Sequence, residues 1–142
     1  MAAVVVLTDR PATSNQTWSD DLLRQAGYDV IVAEDAEAGL AAAAEGQAML
    51  IVLRSAGNTL DACNVCRVIR THPVTRAIPL LVVTRVDDPY TRDQFVRAGA
   101  TAILMEPPRA TLLLRQVRRL MGRHAAALHR AGDQGASAAS AV

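Results

Sequence analysis

The sequence predicts an α/β domain in which a doubly wound sheet of five parallel strands is covered by helices on both faces. Three observations carry that expectation. Short apolar runs recur at residues 2–7, 28–33, 48–54, 78–84 and 101–105, and each is followed by a segment with helical spacing. Such alternation, with right-handed crossovers, generates a doubly wound parallel sheet. The central run, AMLIVLR at residues 48–54, is apolar until its last residue, which suits a strand buried on both faces. Finally, aromatic residues are 3% of a chain that is 51% hydrophobic, so the core must be aliphatic, with Trp18, Tyr28, Tyr90 and Phe95 as its only rings.

The elements follow in order. AAVVVL at residues 2–7 is a strand that runs into Thr8, Asp9, Arg10 and Pro11. Pro11 forbids continuation, and Thr13, Ser14 and Asn15 offer caps to a helix reaching residue 26, with Trp18, Leu22 and Leu23 on its buried face. Gly27 closes it, and YDVIVA at residues 28–33 is the next strand, followed by an alanine-rich helix over 36–45 that stops at Gly46. After the central strand, SAGNTLD at residues 55–61 is a loop turning at Gly57 and Asn58, and ACNVCRVIR at 62–70 is a helix ending before His72 and Pro73. IPLLVVT at residues 78–84 is the fourth strand; Asp87, Asp88 and Pro89 then cap a helix over 90–98 that Gly99 terminates. Residues 101–105 form a short fifth strand, Pro107 and Pro108 break the chain, and a long last helix runs from Ala110 to about residue 131. Residues 132–142, GDQGASAASAV, have nothing to bury. The 142 residues thus divide into one domain over 1–121, an extension of the last helix over 122–131 and a disordered Ala/Gly/Ser tail over 132–142.

Composition excludes several classes. Two cysteines do not make a disulfide framework, while a net charge of +1 argues neither for nor against nucleic acid. No signal-peptide pattern opens the chain, and the apolar runs fall far short of the roughly 18 residues of a membrane span, so a cytoplasmic setting without membrane contact is expected. Cys63 and Cys66 spell C-x-x-C inside a helix, with Cys66 on its core face, which reads as packing. His72, His124 and His129 are too scattered to form a metal site with them, and no cofactor is expected. Arg109, Arg115, Arg118, Arg119, Arg123 and Arg130 make the last helix basic, yet no base-reading or aromatic element accompanies them, which argues against nucleic acid. Arg54 is the unusual residue. It ends the central strand, where open α/β sheets place their chemistry, but a guanidinium stays protonated and offers no lone pair for attack or metal binding.

Over residues 3–121 the chain resembles the receiver domain of bacterial two-component response regulators, the CheY-like family. VVVLTDRP resembles its first strand and acidic pair, and GYDVIVAEDAEAGL its second strand and helix. LIVLRSAGNTLDACNVCRVIR resembles the phosphoacceptor strand, loop and third helix, IPLLVVTR the fourth strand with its hydroxyl residue, and AGATAILMEPP the fifth strand with its lysine-proline step. The resemblance implies a flavodoxin-like, CheY-like three-layer sandwich with strand order 2-1-3-4-5. It also implies a pocket whose residues have changed. Arg54 stands at the phosphoacceptor carboxylate, Thr8 and Asp9 at the carboxylates that hold magnesium, Glu106 at the lysine, Thr84 at the hydroxyl and Ile103 at the aromatic switch position. Only Asp9 and Thr84 keep the family's residue type. A pseudo-receiver is therefore expected: no enzyme, no metal, and a phosphorylation-independent interaction module in two-component signalling.

Within the pocket, the exchange of charge predicts that Arg54 pairs with Glu106, Asp9 or both; the plainer alternative leaves Arg54 projecting into water. The family docks partners on its fourth helix, fifth strand and fifth helix. That makes Leu113, Val117, Arg118 and Leu120 candidates for binding a signalling protein, either a kinase or an output regulator, or for a homodimer through the last helix. An alternative reading is a receiver-like sensor that binds a phosphate-bearing nucleotide such as cyclic di-GMP through the R-x-x-D string from Arg85 to Asp88.

Overall fold

In the computed structural model, residues 3–8, 18–46, 48–55, 59–86, 88–106 and 108–140 are described, the side chains of residues 8, 18, 19, 46 and 130–140 excepted. Strands and helices alternate strictly: β1 (Ala3–Thr8), α1 (Trp18–Gln25), β2 (Asp29–Ala33), α2 (Ala36–Gly46), β3 (Leu50–Ser55), α3 (Thr59–Thr71), β4 (Leu80–Thr84), α4 (Pro89–Ala98), β5 (Ala102–Met105) and α5 (Ala110–Ser140). The strands form one parallel sheet in the order β2-β1-β3-β4-β5.

The pleat sorts the aliphatic residues between two cores, because successive side chains leave a strand on opposite faces. Val5, Leu7, Ile51, Leu53, Leu80 and Val82 pack beneath α2, α3 and α4, with Ala62, Cys63, Cys66, Ile69 and Phe95 covering them. Val4, Val6, Leu50, Val52, Leu81, Val83 and Leu104 face the other way, against Leu23 of α1 and Leu113, Val117, Leu120 and Met121 of α5. Every residue of β3 and β4 is buried, as a strand covered on both faces requires. Each fully buried aliphatic side chain contributes roughly 1.5–3 kcal/mol, and that term holds the three layers together.

The local stops and starts follow from sequence. Asp88 adopts an extended conformation and its carboxylate accepts from the Thr91 N–H at 2.8 Å, with Pro89 opening α4 behind it. Gly99 ends α4 at φ 113, where its N–H donates to the Phe95 and Val96 carbonyls. Asp35 caps α2 by accepting from the Ala38 N–H at 2.7 Å. Pro11, Thr13, Ser14, Asn15, Gly57, Asn58, Asp87 and Pro107, and the side chain of Trp18, lie outside the described residues.

Two readings of α5 change. Its backbone is helical to Ser140, beyond residue 131, as an alanine-rich sequence permits. Leu113, Val117 and Leu120 are buried in the second core and do not form a docking surface. Their spacing of four and three residues is the stripe by which the helix meets the sheet. Of the four partner-binding candidates, Arg118 alone presents its side chain to solvent.

Candidate functional site

Strand register brings the carboxyl ends of four strands together. Thr8 lies beside Arg54, Ser55 beside Thr84, and Thr84 beside Met105. Arg54 follows Leu50 and Val52 on the face that packs against α1 and α5, and Glu106 lies two residues beyond Leu104, which occupies the same face. The Glu106 N–H donates to the Thr84 carbonyl at 2.8 Å, which fixes its backbone to the end of β4.

The two charges meet across that cleft. Nη2 of Arg54 donates to Oε1 of Glu106 at 3.1 Å, with side chains 3% and 6% exposed. The other carboxylate oxygen, Oε2, stands 3.7 Å from Nε of Arg85, whose side chain is 68% exposed. One carboxylate thus bridges a buried and a solvated guanidinium. Taking Arg54 and Glu106 out of water costs several kcal/mol per ion, and their mutual attraction in a low-dielectric site offsets it only when the geometry is good. Arg54 does not project into water. It is 2% exposed, and the expected pairing with Glu106 is present. Thr84 is buried at the same end, and its Oγ1 accepts from the Val86 N–H at 3.2 Å.

Of the other predicted positions, Ile103 is half-buried, in register with Val82 and packed on the first core. Asp9 and the Thr8 side chain are outside the described residues. Arg85, read from sequence as a candidate nucleotide ligand, belongs to the cleft through Glu106. Burial pushes the Cys66 thiol up to about 12, with Cys63 adding to the shift and Arg70 and Arg67 opposing it; burial also raises Cys63. Neither sulfur is a thiolate near neutrality, so the C-x-x-C pair packs rather than reacts.

One cluster carries no signal in the sequence. Arg70, at the end of α3, donates from Nε to the Gly99 carbonyl at 2.8 Å, from Nη1 to the carbonyls of Arg76 and Ile78, and from Nη2 to Thr101 Oγ1 at 3.0 Å. Thr101 Oγ1 accepts in addition from the Leu80 N–H. An arginine in the last turn of a helix looks like an ordinary complement to the helix dipole, and its four partners are 6–31 residues away. Among the described residues no three of His, Cys, Asp and Glu gather as metal ligands, and no helix is long and apolar enough to cross a membrane.

No protein-family model matches the chain. It is 33% identical over 93 residues to response regulator PleD of Caulobacter vibrioides, covering 66% of this chain and 20% of that protein. It is 32% identical over 123 residues to the DNA-binding dual master transcriptional regulator RpaA of Synechocystis, covering 87% of this chain and 50% of that protein. The chain therefore spans no more than half the length of either relative. Its fold matches the chemotaxis protein CheY4 of Vibrio cholerae with a TM-score of 0.74 and 24% identity, over 84% of this chain and 98% of that one. It also matches the receiver domain of a sensor histidine kinase from Pseudomonas aeruginosa, solved with magnesium coordinated in its active-site cleft, with a TM-score of 0.72 and 24% identity over 86% of this chain and 99% of that one. Strand order, the convergence of strand ends and the sequence likeness to two regulators together make this chain a response-regulator receiver domain of the CheY-like family.

Proposed function

We propose that this receiver signals without being phosphorylated: it is a pseudo-receiver, a protein-interaction module of two-component signalling rather than an enzyme. The observation that carries the reading is the buried Arg54–Glu106 ion pair at the carboxyl end of the sheet. A receiver that accepts phosphate needs a carboxylate there to attack, and a guanidinium has neither the negative charge nor the lone pair. The same residue disfavours magnesium. That ion takes oxygen ligands in near-octahedral geometry, and the donor set at this cleft has a buried cation at its centre, with Glu106 already engaged by two arginines.

Docking partners are then recognised by shape and surface chemistry. Tyr90 and Val96 on α4, Met105 on β5 and Leu112 on α5 are exposed, as is Arg118 on α5. Aromatic, methionine and arginine side chains are favoured at such contacts. The partner is a kinase or output regulator, or a second copy of the chain. The alternative reading, a nucleotide sensor through Arg85, has less support, because Nε of Arg85 faces the Glu106 carboxylate.

The test is incubation with acetyl phosphate and magnesium followed by intact-mass measurement. The expected result is no phosphorylated species and the same partner capture with and without the phosphodonor. A stable phosphorylated form, or capture that depends on it, overturns the proposal.

A further inference from the structure

At the end of the sheet opposite the Arg54 cleft, between the segment leading into β4 and the lower part of α5, lies a cavity of about 360 Å³. Arg70, Arg76 and Thr101 wall one side and Arg123 and His124 the other, over Ile78. The described lining contains no aspartate or glutamate. Three guanidinium groups therefore border one concavity, in a chain whose total formal charge is only +1.

Their roles differ. Arg70 is immobilised, since Nε, Nη1 and Nη2 all donate to protein oxygens. Arg76 and Arg123 have exposed side chains, and neither takes part in the described ion pairs. Charges of one sign around a concave surface repel one another and focus a positive potential into it. An anion between Arg76 and Arg123 relieves that repulsion, and the planar guanidinium fork matches phosphate oxygens in particular.

A second hollow of about 390 Å³ adjoins the first, sharing Ala77, Ile78 and His124 as lining. Its remaining walls are apolar, including Ala43, Met49, Val74 and Leu128. Each volume falls in the range of about 300–1,000 Å³ usual for small-molecule sites. We infer that this end of the sheet binds a small phosphate-bearing organic molecule, its phosphate held between Arg76 and Arg123 and its apolar body lying along the adjoining hollow. The inference does not depend on the Arg54 cleft, which occupies the other end of the strands.

The experiment titrates the ¹⁵N-labelled full chain with phenyl phosphate, inorganic phosphate and benzyl alcohol, following backbone amides. Phenyl phosphate is expected to give saturable shifts at residues 76–78, 101 and 123–127 and to bind more tightly than either fragment alone. The double variant Arg76→Ala/Arg123→Ala, altered only at exposed positions, should bind phenyl phosphate at least about tenfold more weakly, whereas Arg85→Ala should bind as the parent does. Absence of saturation overturns the inference. So does unchanged affinity in the double variant, or shifts confined to Arg115 and Arg118 on the outer face of α5.

Discussion

Glu106 holds two guanidinium groups of very different exposure, and the difference decides what each contact contributes. Arg85 keeps most of its hydration and should add less than about 1 kcal/mol, as exposed pairs do. Arg54 has lost its hydration, so removing the Glu106 carboxylate takes a charge-assisted contact from a buried cation that water cannot replace. Glu106→Ala is therefore expected to lower the unfolding free energy by about 3 kcal/mol, and Arg85→Ala by under about 1 kcal/mol, in urea denaturation. The double variant Arg54→Met/Glu106→Leu should recover most of the loss, because apolar residues of similar volume often replace a buried pair without penalty. Both partners were legible in the sequence, each as the charge that ends or follows an apolar run. Arg85 was legible only as a residue. Its link to Glu106 depends on how the chain turns after β4, which no periodicity encodes.

At the scale of elements, the end of α3 and the length of α5 carry most of the unexpected structure. Arg70 ties α3 to the C-cap of α4, to the segment before β4 and to the threonine before β5. Arg70→Met keeps the aliphatic stem but strands several acceptors, and a loss of about 2 kcal/mol in the same denaturation assay is expected. Lysine cannot replace it, since one ammonium does not span that fork of carbonyls. Along α5, burial pulls the His124 imidazole below its ordinary value, in a cavity where Arg70, Arg76 and Arg123 are the neighbouring charged groups and stay protonated throughout. The unfolded chain therefore takes up that proton at higher pH than the folded one. The stability His124 confers is present above about pH 6.5 and is lost as pH falls below it. Thermal unfolding of His124→Gln compared with the parent between about pH 7 and about pH 5 should show the shallower acid loss in the variant. The core stripe of α5 was visible in the sequence as leucine and valine spacing. What sequence could not decide was which of those side chains the sheet covers. Leu112 faces out and Leu113 faces in, a distinction that rests on helix rotation against β-strands far away in the chain.

For the whole molecule, the fivefold alternation of strand and helix was readable because strands buried on both faces need uninterrupted aliphatic runs, and β3 and β4 supply them. Helix starts were less legible, since caps such as Asp88 compete with equally suitable neighbours in the same loop. On the proposed reading, a phosphoryl mimic finds no seat. Adding beryllium fluoride with magnesium should leave the backbone amides around the Arg54 cleft unchanged, and widespread shifts through β4, α4 and β5 would contradict it. The Arg54–Glu106 contact has a further consequence for how such a chain can change over time. Placing aspartate at Arg54 alone would set two carboxylates against each other in a cleft shielded from water, where one of them must take up a proton to be tolerated. Changing Glu106 to lysine alone would set two cations there instead. On the proposed reading, either single step toward a phosphate-accepting pocket runs uphill, so the pair behaves as a ratchet that only a paired substitution releases.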